Sequence, residues 1–170
     1  EETASPKNPI LTNTVKTVQY GEGYGLPTAV VDPSVYDGKI LFATGADENA
    51  CDRFVRLDPV TGAFENIEAE RTNSTLRSPV ENAEVLIYTD VKSAGGGTIR
   101  MIKKATRENT ALAEFTMGVP KLSLEAPYLV WMERTGETSA KLMVCDITSG
   151  ELLTLAVFNE SVYADSAPSL

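Results

Sequence analysis

One block returns along this chain about every 44 residues: a short apolar strand, a polar loop, a second strand, a tight turn and a third strand. Its apolar centre reads Lys39-Ile-Leu-Phe-Ala43, then Glu84-Val-Leu-Ile-Tyr88, then Tyr128-Leu-Val-Trp-Met132. A period of this length, carried by strands, is the mark of a β-propeller blade. One blade cannot bury both of its faces alone, so copies must stack radially, and architecture is fixed well before activity. The fold class expected is therefore all-β, a β-propeller built from three full four-stranded blades plus terminal strands of a further blade.

Blade one is expected at about 27–68, with strands over Pro27 to Asp32, Lys39 to Thr44, Arg53 to Leu57 and Ala63 to Glu68. Asp37-Gly38 supplies the first turn, and Asp58-Pro-Val-Thr-Gly62 a compact hairpin in which Gly62 takes the left-handed conformation. Blade three, at about 120–157, repeats that hairpin as Asp146-Ile-Thr-Ser-Gly150. Blade two, at about 76–115, has Lys104 to Asn109 in its place. Arg100 to Phe115 lacks Gly and Pro and could form a helix, but the phase of the repeat favours strands. Tyr88 and Trp131 hold nearly corresponding second-strand sites, where each is expected to pack against the next blade.

Residues 1–13 read as a polar tether and 14–170 as the propeller segment. The ends suggest a shared blade, with 14–20 as an outer strand and 166–170 as an inner one. Three full blades are fewer than the four to eight that close a ring. The remainder is expected from the same longer chain or from a second chain. The polar, Pro-containing leader suits a tether to a cleaved or lipidated terminus, which points to an extracytoplasmic location, at the cell surface or secreted.

Charge and composition narrow the partners. With 15 basic and 24 acidic residues the formal charge is −9, which repels phosphate backbones, so no nucleic-acid partner is expected. The longest apolar runs fall far short of the roughly 20 residues of a spanning helix, so no transmembrane segment is expected. Histidine is absent, which removes the side chain best suited to proton transfer near neutral pH and the commonest metal ligand. Cys51 and Cys145 lack CxxC spacing and lie in blades one and three, so both are expected as free structural thiols. No catalytic residue, cofactor or metal is assigned.

The strings Tyr36-Asp-Gly-Lys-Ile-Leu-Phe42 and Phe54-Val-Arg-Leu-Asp-Pro-Val-Thr-Gly62, with Tyr128 to Met132 and Leu142 to Gly150, resemble the repeat of TolB-like propellers and of prolyl-oligopeptidase-type N-terminal domains. The resemblance covers most of residues 27–170. It implies six to eight blades, frequent export from the cytoplasm, and a role in protein binding or as the gate of an attached enzyme.

Binding residues are sought on the rim, where a propeller holds variable loops rigidly. Asp47, Glu48 and Asp52 occupy the loop between the second and third strands of blade one, a place where oxygen ligands could hold Ca²⁺, although a solvated acidic loop is the simpler reading. Glu133 and Arg134, with Glu137, are expected in the equivalent loop of blade three, and Arg71, Arg77 and Tyr163 in connections between blades. The glycine clusters Gly21 to Gly25 and Gly95 to Gly97 precede no helix and read as plain loops. Asn73-Ser-Thr75 and Asn159-Glu-Ser161 are formal glycosylation sequons. The function expected is a non-enzymatic scaffold that binds a protein or carbohydrate ligand; the alternative is the propeller of a larger enzyme, peptidase or glycan-active, with catalytic residues elsewhere.

Overall fold

The computed structural model describes residues 29–159. The expected strand at 14–20, its partner at 166–170, the tether and Tyr163 lie outside the described residues. Within them are twelve strands: β1 (Ala29–Tyr36), β2 (Lys39–Gly45), β3 (Cys51–Leu57), β4 (Phe64–Ile67), β5 (Thr75–Glu81), β6 (Val85–Val91), β7 (Gly97–Lys103), β8 (Asn109–Phe115), β9 (Leu122–Glu125), β10 (Tyr128–Arg134), β11 (Ala140–Asp146) and β12 (Leu152–Phe158). They form three four-stranded antiparallel meanders, β1 to β4, β5 to β8 and β9 to β12, each paired in chain order. The architecture is a partial β-propeller. The segment 100–115, which a helix could have claimed, is strand on both sides of a hairpin.

Hydrophobic burial between blades holds the arc together. Strand β6 is buried along its whole length because side chains of alternate parity enter different interfaces. Leu86 and Tyr88 join Leu41, Ala43, Phe54 and Ile67 of blade one. Val85, Ile87 and Val91 join Leu129, Trp131 and Met143 of blade three. Tyr88 meets Phe54 edge to face at 5.2 Å between ring centroids. Tyr88 and Trp131 therefore pack against the preceding blade, which corrects the expectation that each faces the next. The period fixes their phase in the repeat, but the sense in which blades succeed one another decides which face meets which neighbour. Cys51 and Cys145 are free and buried in separate cores, and burial pushes both thiols above their ordinary range.

The three outer hairpins share one backbone geometry. The amides of Gly62 and Gly150 donate to the carbonyls of Asp58 and Asp146, and that of Arg107 donates to Lys103, each at 2.8 Å. Gly62 and Gly150 sit at φ 75° and 76°, and Arg107 at 62°. Blade two thus makes the same turn without glycine, and Arg107 carries the left-handed conformation at a steric cost. Blades one and three add side-chain caps: Asp58 accepts from the amides of Val60 and Thr61, and Asp146 from those of Thr148 and Ser149.

Candidate functional site

The first strands of the three blades converge, with β5 beside both β1 and β9. Both β1 and β5 contain an X–Pro step inside the strand, Asp32-Pro33 and Ser78-Pro79. Proline cannot donate to the ladder, and each step coincides with a break in register, between Val31 and Ser34 and between Arg77 and Val80. The residue before each proline is left-handed, Asp32 at φ 52° and Ser78 at φ 48°. These bulges re-aim the Asp32 and Ser78 side chains out of the alternation of their strands.

Asp32 becomes the junction of three blades. Its Oδ2 accepts from Arg77 Nε at 2.6 Å and from the Ser78 amide at 3.0 Å, both on blade two. Its Oδ1 accepts from Lys121 Nζ, just before the first strand of blade three. The Asp32 side chain is 6% exposed, that of Arg77 18% and that of Lys121 35%. Burial pushes the Asp32 carboxyl up, but the hydrogen bonds from Arg77 and Lys121, the Arg77 charge and the Ser78 amide outweigh it, so its pKa falls below the ordinary value.

Beside this junction lies a cavity of about 360 Å³ lined by Asp32, Pro33, Ser34, Ser78, Pro79, Val80, Lys121 and Leu122. Ser34 and Ser78 both carry a buried hydroxyl with no protein partner, and Ser78 as a whole is 4% exposed. A hydroxyl withdrawn from water without a partner costs on the order of 1–3 kcal/mol. Both serines line the cavity, each with its hydroxyl withdrawn from water.

Two further buried carboxylates order the arc without lining this cavity. Glu81, on β5, accepts from Arg56 Nε at 2.8 Å and pairs with Lys104 Nζ at 2.6 Å. Burial raises its pKa, and the Arg56 and Lys104 interactions lower it further than burial raises it. Asp90 accepts from the amides of Thr72 at 2.9 Å and Asn73 at 3.1 Å, which pins the connection from blade one to blade two. The Asn73 side-chain amide donates to the Asp90 carbonyl, so this sequon's nitrogen is engaged in the fold.

The described rim residues do not assemble into one site. Asp47 caps its own loop by accepting from the Asn49 amide, but Asp52 is not in that loop: β3 starts at Cys51, two residues earlier than expected, and holds Asp52 3.5 Å from Arg53. Glu48 enters through its carbonyl, which accepts from Arg77 Nη1. Arg71 donates to the Ser74 carbonyl in the expected connection. Arg77 is not in a connection: it lies in β5, because Thr75, Leu76 and Arg77 already pair with Val91, Asp90 and Thr89 of β6 before the bulge. Glu133 and Arg134 are likewise strand residues, paired with Lys141 and Ala140 at the end of β10, where the β10–β11 pairing runs two residues further than expected. Among the described residues, no group of three His, Cys, Asp or Glu side chains is placed to hold a metal ion, the acidic loop of blade one included. No helix among them is long and apolar enough to cross a membrane.

No family model matches the sequence, and no curated protein does. Solved structures do match in fold. A puromycin hydrolase S511A mutant complexed with PGG superposes with a TM-score of 0.56 at 17% identity, over 83% of this chain and 22% of that one. TolB from Acinetobacter baumannii gives 0.54 at 12% identity, over 73% of this chain and 30% of that one. A structure from a study of two prolyl endopeptidases gives 0.51 at 14% identity, over 74% and 19%. The fold is that of the TolB-like and prolyl-oligopeptidase-type propellers, and this chain spans under a third of the length of each of these matches.

Proposed function

We propose that this chain is the ligand-binding part of a non-enzymatic, extracytoplasmic β-propeller, and that the cavity beside Asp32 is its recognition site. The observation that carries the reading is the pair of buried hydroxyls without protein partners, Ser34 and Ser78, in a cavity edged by the half-exposed Lys121. Polar groups held on rigid first strands are suited to orienting a ligand. The rim residues Asp47, Glu48, Asp52 and Arg71 serve as an outer surface for a protein or carbohydrate partner. The resemblance to TolB-like propellers supports the extracytoplasmic placement, and the ring is completed by further blades from the same longer chain or from a second one.

Thermal unfolding of the chain across a panel of short peptides and oligosaccharides tests this. A binder at a hundred times its dissociation constant adds about 2.7 kcal/mol, which is easily read. The reading expects at least one class to raise the midpoint, and Lys121→Met to abolish the rise. A panel without effect, or a ligand whose effect survives Lys121→Met, contradicts it. The second reading, a propeller gating an attached enzyme, is favoured by the likeness to a puromycin hydrolase and a prolyl endopeptidase. It predicts hydrolytic activity in the longest natural product of the gene.

A further inference from the structure

We infer that the cavity beside Asp32 takes a ligand through a free carboxylate, with Lys121 as its cationic anchor and the hydroxyls of Ser78 and Ser34 as its further donors; the inference rests on the binding role proposed above.

Unspent donors decide the sign of the ligand. Arg77 and Lys121 bring two positive charges to the junction against Asp32 and, acting on Arg77, Glu48, so the sign is set by which cation still has donors to offer. Both oxygens of Asp32 are already supplied, Oδ2 by Arg77 Nε and the Ser78 amide and Oδ1 by Lys121, so the carboxylate has little to offer a cationic ligand. Arg77 is largely engaged, with Nε and Nη2 on Asp32 and Nη1 on the Glu48 carbonyl. Lys121 is different. An ammonium has three donors, one is directed at Asp32, and the side chain is 35% exposed at the cavity edge.

Geometry and size select within the anions. A carboxylate carries one charge and accepts at two oxygens, which matches the single ammonium of Lys121 and the serine hydroxyls beside it. A phosphate dianion would exceed the one charge of Lys121. The volume of about 360 Å³ equals about a dozen waters at the liquid's share of ~30 Å³ each, enough for the terminal residue or two of a peptide. The walls suit that too, since Pro33, Pro79, Val80 and Leu122 give apolar surface to a side chain. The same chemistry fits a peptide C-terminus and a small free acid.

Chemical-shift mapping on the ¹⁵N-labelled chain separates these cases. The probes are N-acetyl-dialanine, its C-terminal amide, propionate and neutral maltotriose, followed at the amides of Asp32, Ser34, Ser78 and Lys121. The peptide acid is expected to shift these amides with an affinity at least tenfold above that of its amide. Lys121→Met should erase the preference, and Ser78→Ala should weaken acid binding about threefold with the dispersed spectrum retained. Propionate weaker than the peptide acid identifies a peptide C-terminus, and propionate equal to it identifies a small acid; either supports the inference. If acid and amide shift the cavity equally, or maltotriose does so as well as the acid, the carboxylate assignment fails while the binding role stands. If none of the four moves these amides, both fail.

Discussion

Replacing Asp32 by asparagine removes one charge and turns the oxygen that accepts from Lys121 into an NH2 donor. Asparagine tolerates the left-handed conformation that Asp32 adopts at φ 52°, and its side-chain oxygen can still accept from the Ser78 amide. What is lost is the anion between Arg77 and Lys121. Removing one partner of a fully buried pair costs about 3–5 kcal/mol. Here Arg77 and Lys121 are 18% and 35% exposed, and water screens part of the exposed charge, so the expected cost is about 2–3 kcal/mol. For a chain of this size that lowers the melting midpoint by about 5–10 °C. The assay is denaturant unfolding of wild type and Asp32→Asn in parallel from pH 7 down to pH 3. The sign is fixed by the depressed pKa of Asp32: its contribution is full above the ordinary value of 3.8 and is lost as pH falls through the lower folded value. The gap between the two proteins should therefore be constant near neutral pH and close toward the acid end. A gap below about 0.5 kcal/mol at pH 7, the noise of a surface substitution, or one that widens on acidification, refutes the three-blade junction.

Three other substitutions probe the frame around it. Arg107→Gly should stabilise the chain by about 0.5–1 kcal/mol, because relief of the left-handed strain exceeds the entropy glycine adds to the unfolded state, and the midpoint in a thermal scan reads it. Tyr88→Phe should cost about 1–2 kcal/mol in denaturant unfolding, since the phenol donates to the Glu70 carbonyl and accepts from Asn109. Burial pushes that phenol up to about 12, so the cost should not vary between pH 6 and pH 9. Glu81→Gln should destabilise by about 2–3 kcal/mol at neutral pH, leaving Arg56 and Lys104 without their shared anion, and the loss should fade in acid as it does for Asp32.

The strand plan was legible because apolar second strands recur at one phase and Asp-to-Gly hairpins punctuate them twice. The hairpin of blade two was harder to read, since Lys103 to Glu108 forms the same backbone bonds with neither signal residue. The site was mostly hidden. Charge on a loop is visible in sequence, but the direction of a side chain is not, and the rim group proved to be scattered caps and strand ends. The usable signal was the pair Asp32-Pro33 and Ser78-Pro79, since proline within two inner strands at nearly the repeat spacing implies paired bulges. Lys121 carries no motif, and only the convergence of β1, β5 and β9 brings it to Asp32.

The most direct test of the central claim, that one carboxylate joins the first strands of three blades, is the titration of the Asp32 carboxyl carbon by NMR. The account predicts a midpoint below the ordinary 3.8 that moves upward when Lys121 is changed to Met. A midpoint at or above 3.8, or one indifferent to Lys121, would contradict it.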